Sequence, residues 1–180
     1  MRRKLQKVFV VAIAASTLAT LEAAENNTPA VTPQRIEQEV RHQLLMLPYY
    51  NVFDNLAFKV NDGTVTLLGQ VTWPAVKSDA EAAVKQVEGV TKVVNDIQVL
   101  PPSPMDDRIR MAELRYIYSA PGFERYAIQP VPSIHIIVDN GHVTLEGVVA
   151  SQADKQIAGM RANSVPGTFG VTNNLQVEKG

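Results

Sequence analysis

The segment Val60-Asn61-Asp62-Gly63-Thr64-Val65-Thr66-Leu67-Leu68-Gly69-Gln70-Val71 occurs twice, returning 78 positions later as Val138-Asp139-Asn140-Gly141-His142-Val143-Thr144-Leu145-Glu146-Gly147-Val148-Val149. The same shift carries Gly89, Val93, Asn95, Gln98 and Val99 onto Gly167, Val171, Asn173, Gln176 and Val177. Val60 to Val99 shares 16 identities in 40 with Val138 to Val177. Self-similarity at a fixed offset means that one supersecondary unit has been used twice. With 180 residues available, each copy has roughly 70. Units of that size bury only about 60% of their unfolded surface, so each gains from docking on the other or on a partner.

Each copy reads as α-β-β-α-β. Thr32-Pro33 places an N-cap before a proline at the first helical position, and Ile36, Val40, Leu44 and Leu47 follow at helical spacing. The first helix is therefore expected from about Pro33 to Leu47, with Pro48 ending it. Leu56 to Val60 and Thr64 to Val71 alternate at period two around Asn61-Asp62-Gly63, the signature of a hairpin. Gly69 interrupts the apolar face of the second strand, which marks a close backbone or helix approach. Trp73-Pro74 opens a helix with Val76, Ala80, Ala83, Val84 and Val87 on one face, Gly89 stops it, and Val90 to Val99 is expected as the third strand. A right-handed crossover puts that helix on one face of the sheet. In the second copy the first helix is expected from about Pro104 to Tyr118, capped by Ser103. Five inserted residues precede the hairpin Ile134 to Val149, Ser151 caps a helix weakened by Gly159 and Asn163, and Val171 to Val177 closes the sheet. Tyr49 to Asn55 is aromatic-rich, and its sequence assigns it no role.

The flanks set the boundaries. Arg2, Arg3, Lys4 and Lys7 precede Val8 to Leu21, 14 residues without a charge; about 20 are needed to span a bilayer, whereas about 7–15 suit a secretory signal. Residues 1–24 are read as a signal peptide, with an uncleaved, weakly anchored N-terminus as the alternative. Residues 25–32 form a flexible lead-in, 33–100 the first domain, 101–104 a stiff proline-rich linker and 105–180 the second domain. Export implies a periplasmic location. Removing the signal leaves 13 basic and 17 acidic residues. A net acidic chain without a basic run argues against nucleic-acid binding. With no cysteine in the sequence, disulfides, thiolate metal sites and an N-terminal lipid anchor on Cys are excluded.

The doubled pattern Gly63 to Val71 and Gly141 to Val149, followed by Val87-Glu88-Gly89-Val90-Thr91-Lys92-Val93-Val94-Asn95-Asp96-Ile97 and its counterpart Val165 to Leu175, resembles the BON domain. The likeness covers about residues 33–180. It implies an α+β fold with two αββαβ domains, each a three-stranded mixed sheet backed by two helices. It also implies a non-enzymatic role in the bacterial envelope, with phospholipid membrane as the partner and a part in osmotic or envelope stress protection. Docking onto another envelope protein is the competing role, and no cofactor or small-molecule substrate is implied.

Little in the sequence points to catalysis. His42, His135 and His142 lack partners at metal-ligand spacing, and Asp62 and Asp139 sit in glycine-containing turns that favour them for backbone reasons. No nucleophile elbow or phosphate-cradling loop is present. One surface stands out instead. Arg108, Met111, Arg115 and Tyr118 fall on one side of the second domain's first helix, and Phe123 and Arg125 follow in the divergent loop. Guanidinium groups mixed with Tyr and Met suit a headgroup layer. An ordinary solvated face packed partly against the other domain is the alternative.

Overall fold

A computed structural model describes residues 32–178; the expected signal peptide and nearly all of the lead-in lie outside them. The first copy comprises α1 (Pro33–Leu45), β1 (Asn55–Asn61), β2 (Thr64–Val71), α2 (Pro74–Lys85), β3 (Lys92–Asn95) and β4 (Gln98–Val99). The second comprises α3 (Pro104–Tyr118), a 3-10 helix (Phe123–Ala127), β5 (Ile134–Asp139), β6 (His142–Val149), α4 (Gln152–Asn163), β7 (Gly170–Asn173) and β8 (Gln176–Val177). The helices begin where their caps predict. Thr32, Ser103 and Ser151 each accept a hydrogen bond from the backbone N–H three residues on. Helix α1 stops two residues short of the expected end, because the Met46 and Leu47 amides turn back to carbonyls of the last turn before Pro48.

In each copy the hairpin strands pair antiparallel, and the strand after the crossover helix pairs parallel with the second hairpin strand. The turns are built by Asp62 (φ 47°) with Gly63 (φ 75°), and by Asn140 (φ 50°) with Gly141 (φ 76°). Two successive left-handed residues give the turn whose twist matches paired strands. At Gly69 and Gly147 a Cβ would run into the carbonyl oxygens of Asn55 on β1 and of Ser133 immediately before β5. The glycines therefore mark a close backbone approach.

The third strand differs from the expected continuous run. It is broken into β3 and β4, both parallel to β2, with Asp96-Ile97 between them. Asn95 causes the break: its amide donates to the Lys77 carbonyl at 2.9 Å, and its Oδ1 accepts from the Ile97 amide at 3.3 Å. The chain bends and Ile97 drops into the core. Asn173 does the same, bonding the Lys155 carbonyl at 2.7 Å and the Leu175 amide at 3.2 Å, so that Leu175 is buried.

The two copies each have a core under the sheet, but the cores are not independent. The connector between α1 and β1, left unassigned by its sequence, reaches the second copy. Val52 is a buried member of the second core, and Phe53 packs against it. The Ile136 amide on β5 donates to the Val52 carbonyl at 2.8 Å, and Tyr50 stacks on His135 with ring centroids 5.7 Å apart. Asp54, fully buried, holds the connector by accepting from the Thr72 amide (2.6 Å), the Thr72 hydroxyl (2.8 Å) and the Asn51 amide (3.2 Å). Burial against the connector lowers the His135 pKa.

Candidate functional site

Helix α3 has two unlike faces. Arg108, Met111 and Arg115 are exposed on the outer one, as the spacing predicts, and no acidic side chain shares it between Arg108 and Ser119, since Glu113 points inward. The other three predicted contact residues are placed differently. Phe123 is fully buried and meets Tyr126 edge-on at 5.4 Å. It is a core residue, not part of a contact surface, because the inserted loop coils into a 3-10 helix that turns its aromatic rings inward. Tyr118 is half-buried against the same core, and its hydroxyl donates to the Ile134 carbonyl at 2.7 Å. Arg125 is exposed but paired with Asp154 at 2.6 Å, in a cluster with the Tyr126 and Ser151 hydroxyls. The Ser151 hydroxyl, then Tyr126 and Arg125, hold the Asp154 carboxyl below its ordinary range.

A Tyr118→Phe variant tests the corrected role. Loss of one buried hydrogen bond is expected to cost about 1 kcal/mol in urea unfolding. Any surface contact made through Arg108 and Arg115 should be unchanged.

The structure adds neighbours that the helix spacing alone did not reveal. Tyr116, Ile157, Met160, Arg161 and Ser164 line a shallow groove where α3 and α4 run side by side. Met160 is 63% exposed and Tyr116 40%. Trp73, 62% exposed, lines a cleft beside Asp107 and Arg110 on the other flank of α3, one turn from Met111. The surface thus widens to Arg108, Arg115 and Arg161 among Met111, Tyr116 and Met160. In the first copy the matching groove between α1 and α2 is lined by Arg35, Glu39, Gln43, Ala83, Gln86, Val87 and Glu88, with Arg35 3.7 Å from Glu88. The same architectural groove is acidic and amide-rich in one copy, and aromatic and basic in the other. Among the described residues, no group of three or more His, Cys, Asp or Glu side chains is placed to hold a metal, and no helix is long and apolar enough to cross a membrane.

The family model for the BON domain matches residues 33–101 and 123–179, well over half of the chain. The chain belongs to the BON-domain family. Its first BON match includes α1, whereas the second begins after α3, so the divergent helix of the second repeat is the part the family pattern does not cover. A comparison with curated proteins finds no match. Among solved structures, the C-terminal domain of CdsD, a structural protein of the type III secretion system of Chlamydia trachomatis, is similar at 12% identity over 83% of this chain and 100% of that one, with a TM-score of 0.33. A second CdsD structure is similar at 13% identity, over 80% of this chain and 93% of that one, with a TM-score of 0.27. Likeness this distant carries no functional weight.

The inner face of α3 is polar where the first BON repeat is apolar. Asp106 accepts from the Asn140 and Gly141 amides at 3.1 and 2.8 Å, tying the helix to the hairpin turn. Arg110 is buried, with Nη2 on the Val138 carbonyl and Nη1 on Asp107, each at 2.6 Å. Glu113 is fully buried, and its Oε1 accepts from the Thr168 hydroxyl at 3.1 Å. Burial pushes its pKa up to about 7, against the opposing pull of Thr168. Sequence spacing assigned α3 a single outer stripe. The acid at a core position was visible as Glu113 between Ile109 and Ile117.

Proposed function

We propose that the protein is a non-enzymatic component of the bacterial cell envelope that binds anionic phospholipid membrane, reversibly, through the outer surface of α3 and α4. The observation that carries this reading is the combination of exposed Arg108 and Arg115 and partly exposed Arg161 with exposed Met111, Tyr116 and Met160, found in one repeat and replaced by a polar groove in the other. Arginine recognises phosphate by charge-assisted hydrogen bonds. Tyrosine and the flexible methionine side chains suit the boundary between headgroups and acyl chains. Periplasmic location and a role under osmotic stress belong to the same reading, supported by the charge and length of the N-terminal apolar run and by the family. The mildly acidic net charge makes attachment local and weak, because only this surface favours an anionic bilayer.

Co-sedimentation of residues 25–180 with phosphatidylglycerol-containing vesicles at low salt tests the reading. Binding is expected, and it should weaken as salt screens the surface. Each arginine near an anionic bilayer contributes about 1 kcal/mol, so replacing Arg108, Arg115 and Arg161 by Ala together should lower affinity on the order of a hundredfold. Absence of vesicle binding by the unaltered chain would overturn it and leave an envelope protein as the partner of this surface.

A further inference from the structure

Glu113 is required neither by the fold nor by the outer surface of α3. Ile109, Glu113 and Ile117 repeat the spacing of Ile36, Val40 and Leu44, and all six side chains are buried. Glu113 therefore stands where the first repeat has Val40. The residue that meets it has changed as well. Thr168 occupies the position of Val90 under the 78-residue shift. Val90 packs on the core that contains Val40, whereas Thr168 hydrogen-bonds Glu113. Two aliphatic residues in one copy are matched by a hydroxyl–carboxyl pair in the other.

One hydrogen bond does not compensate a buried carboxylate. The second oxygen, Oε2, is buried without a partner. Arg110 lies one turn away, with Nη1 on Asp107, Nη2 on the Val138 carbonyl and Nε buried without a partner, but no hydrogen bond joins it to Glu113, and Asp106 is committed to the hairpin turn. Pro166 to Phe169, which carries Thr168, contains no titratable side chain. On the hairpin, Asp139 and His142 are partly or fully exposed; on α4, Asp154 is bound to Arg125, and Lys155 and Arg161 are partly exposed. The two influences on the carboxyl are burial, which raises its pKa, and the Thr168 hydroxyl, which lowers it.

We propose that the burial of Glu113 between α3 and the Pro166–Phe169 segment, with the Thr168 hydroxyl on one carboxyl oxygen and no partner on the other, is a proton-controlled latch, closed while the carboxyl is protonated and released when the buried group ionises, so that pH regulates the membrane-binding surface on α3. The regulatory clause rests on the membrane reading; the latch itself does not. A released carboxyl titrates near its ordinary 4.5 and the latched one near 7. The closed form is therefore favoured most below about 4.5, loses about tenfold in population ratio per pH unit up to about 7, and changes no further above that.

Amide hydrogen exchange at about pH 5 and about pH 8, corrected for the intrinsic rate, reads the latch directly. In the unaltered protein, opening of α3 and of residues 166–169 should rise more than tenfold at the higher pH. Glu113→Gln removes the charge and should flatten that rise. A Glu113→Val, Thr168→Val double variant copies the first repeat and should keep α3 protected at both values. Equal pH dependence in the unaltered protein and Glu113→Gln, or none in the unaltered protein, overturns the latch. Binding to phosphatidylglycerol–phosphatidylcholine vesicles forms the second arm and should depend on pH more strongly in the unaltered protein than in Glu113→Gln. Latch-like exchange without vesicle binding leaves the latch standing and removes the membrane reading. Vesicle binding with flat exchange does the reverse.

Discussion

Phe123→Ala is expected to destabilise the protein by about 3–5 kcal/mol, the usual cost of removing a buried aromatic ring and leaving a cavity. The ring is fully buried in the second core and packs edge-on against Tyr126, whose hydroxyl accepts from the Ala150 amide and donates to Asp154. Tyr126 belongs to the same core, so a void left by the ring borders the hydrogen bonds that its hydroxyl makes. Stabilities of single domains are about 5–15 kcal/mol, and the variant should show a large drop in urea midpoint at an unchanged slope. A residue on a contact surface would behave differently, losing vesicle affinity with little effect on unfolding. A Phe123→Ala protein within about 1 kcal/mol of the unaltered chain would return Phe123 to the surface. Phe123→Leu retains most of the apolar volume and should recover part of the loss.

Phe123 also shows which features were legible from sequence. The hairpins, caps and crossover helices were readable because they rest on local rules: Asp62-Gly63 and Asn140-Gly141 require left-handed turns, and Ser103 and Ser151 cap the helices that follow them. Direction within an irregular loop has no such rule. Phe123 and Arg125 follow Gly122, and that residue's left-handed conformation (φ 83°) turns the chain so that Phe123 points to the core and Arg125 toward Asp154. Tyr118 lay on the correct helix but at its edge, where the difference between solvent and β5 is less than one turn. The side-chain role of Asn95 and Asn173 was equally hidden, because alternation predicts a continuous strand and does not register an amide that bends it. The surface around Tyr116, Met160 and Arg161 joins two helices distant in sequence, and periodicity within one helix cannot supply that pairing. Glu113 does leave a signal in the sequence. An acid at a position aliphatic in the other copy is a departure that the internal repeat makes visible without any homologue.

Val52→Asp is expected to uncouple the two BON repeats. Val52 belongs to the first repeat in sequence and to the second core in space, and its carbonyl accepts from the Ile136 amide on β5. An ionised aspartate cannot remain among Phe123, Ile134 and Ile136 at a bearable cost. The connector would therefore leave the second repeat rather than carry the charge inside it. The loss is then the burial of Val52, about 1.5–3 kcal/mol, together with an Ile136 amide deprived of its partner, about 1–3 kcal/mol. Tyr50 would lose its stacking on His135 as well, and Asp54 would continue to hold the remaining connector to Thr72. The expected result is a total of roughly 2.5–6 kcal/mol, with one cooperative urea transition replaced by two and faster exchange at the Ile136 amide. Val52→Ile, which retains the apolar contact, should keep the single transition. Cooperative unfolding of Val52→Asp at the stability of the unaltered chain would mean that the connector contact contributes nothing to joining the repeats. Small repeats bury too little of their own surface to be strongly stable alone. The connector ahead of β1 thus makes one repeat complete the core of the other.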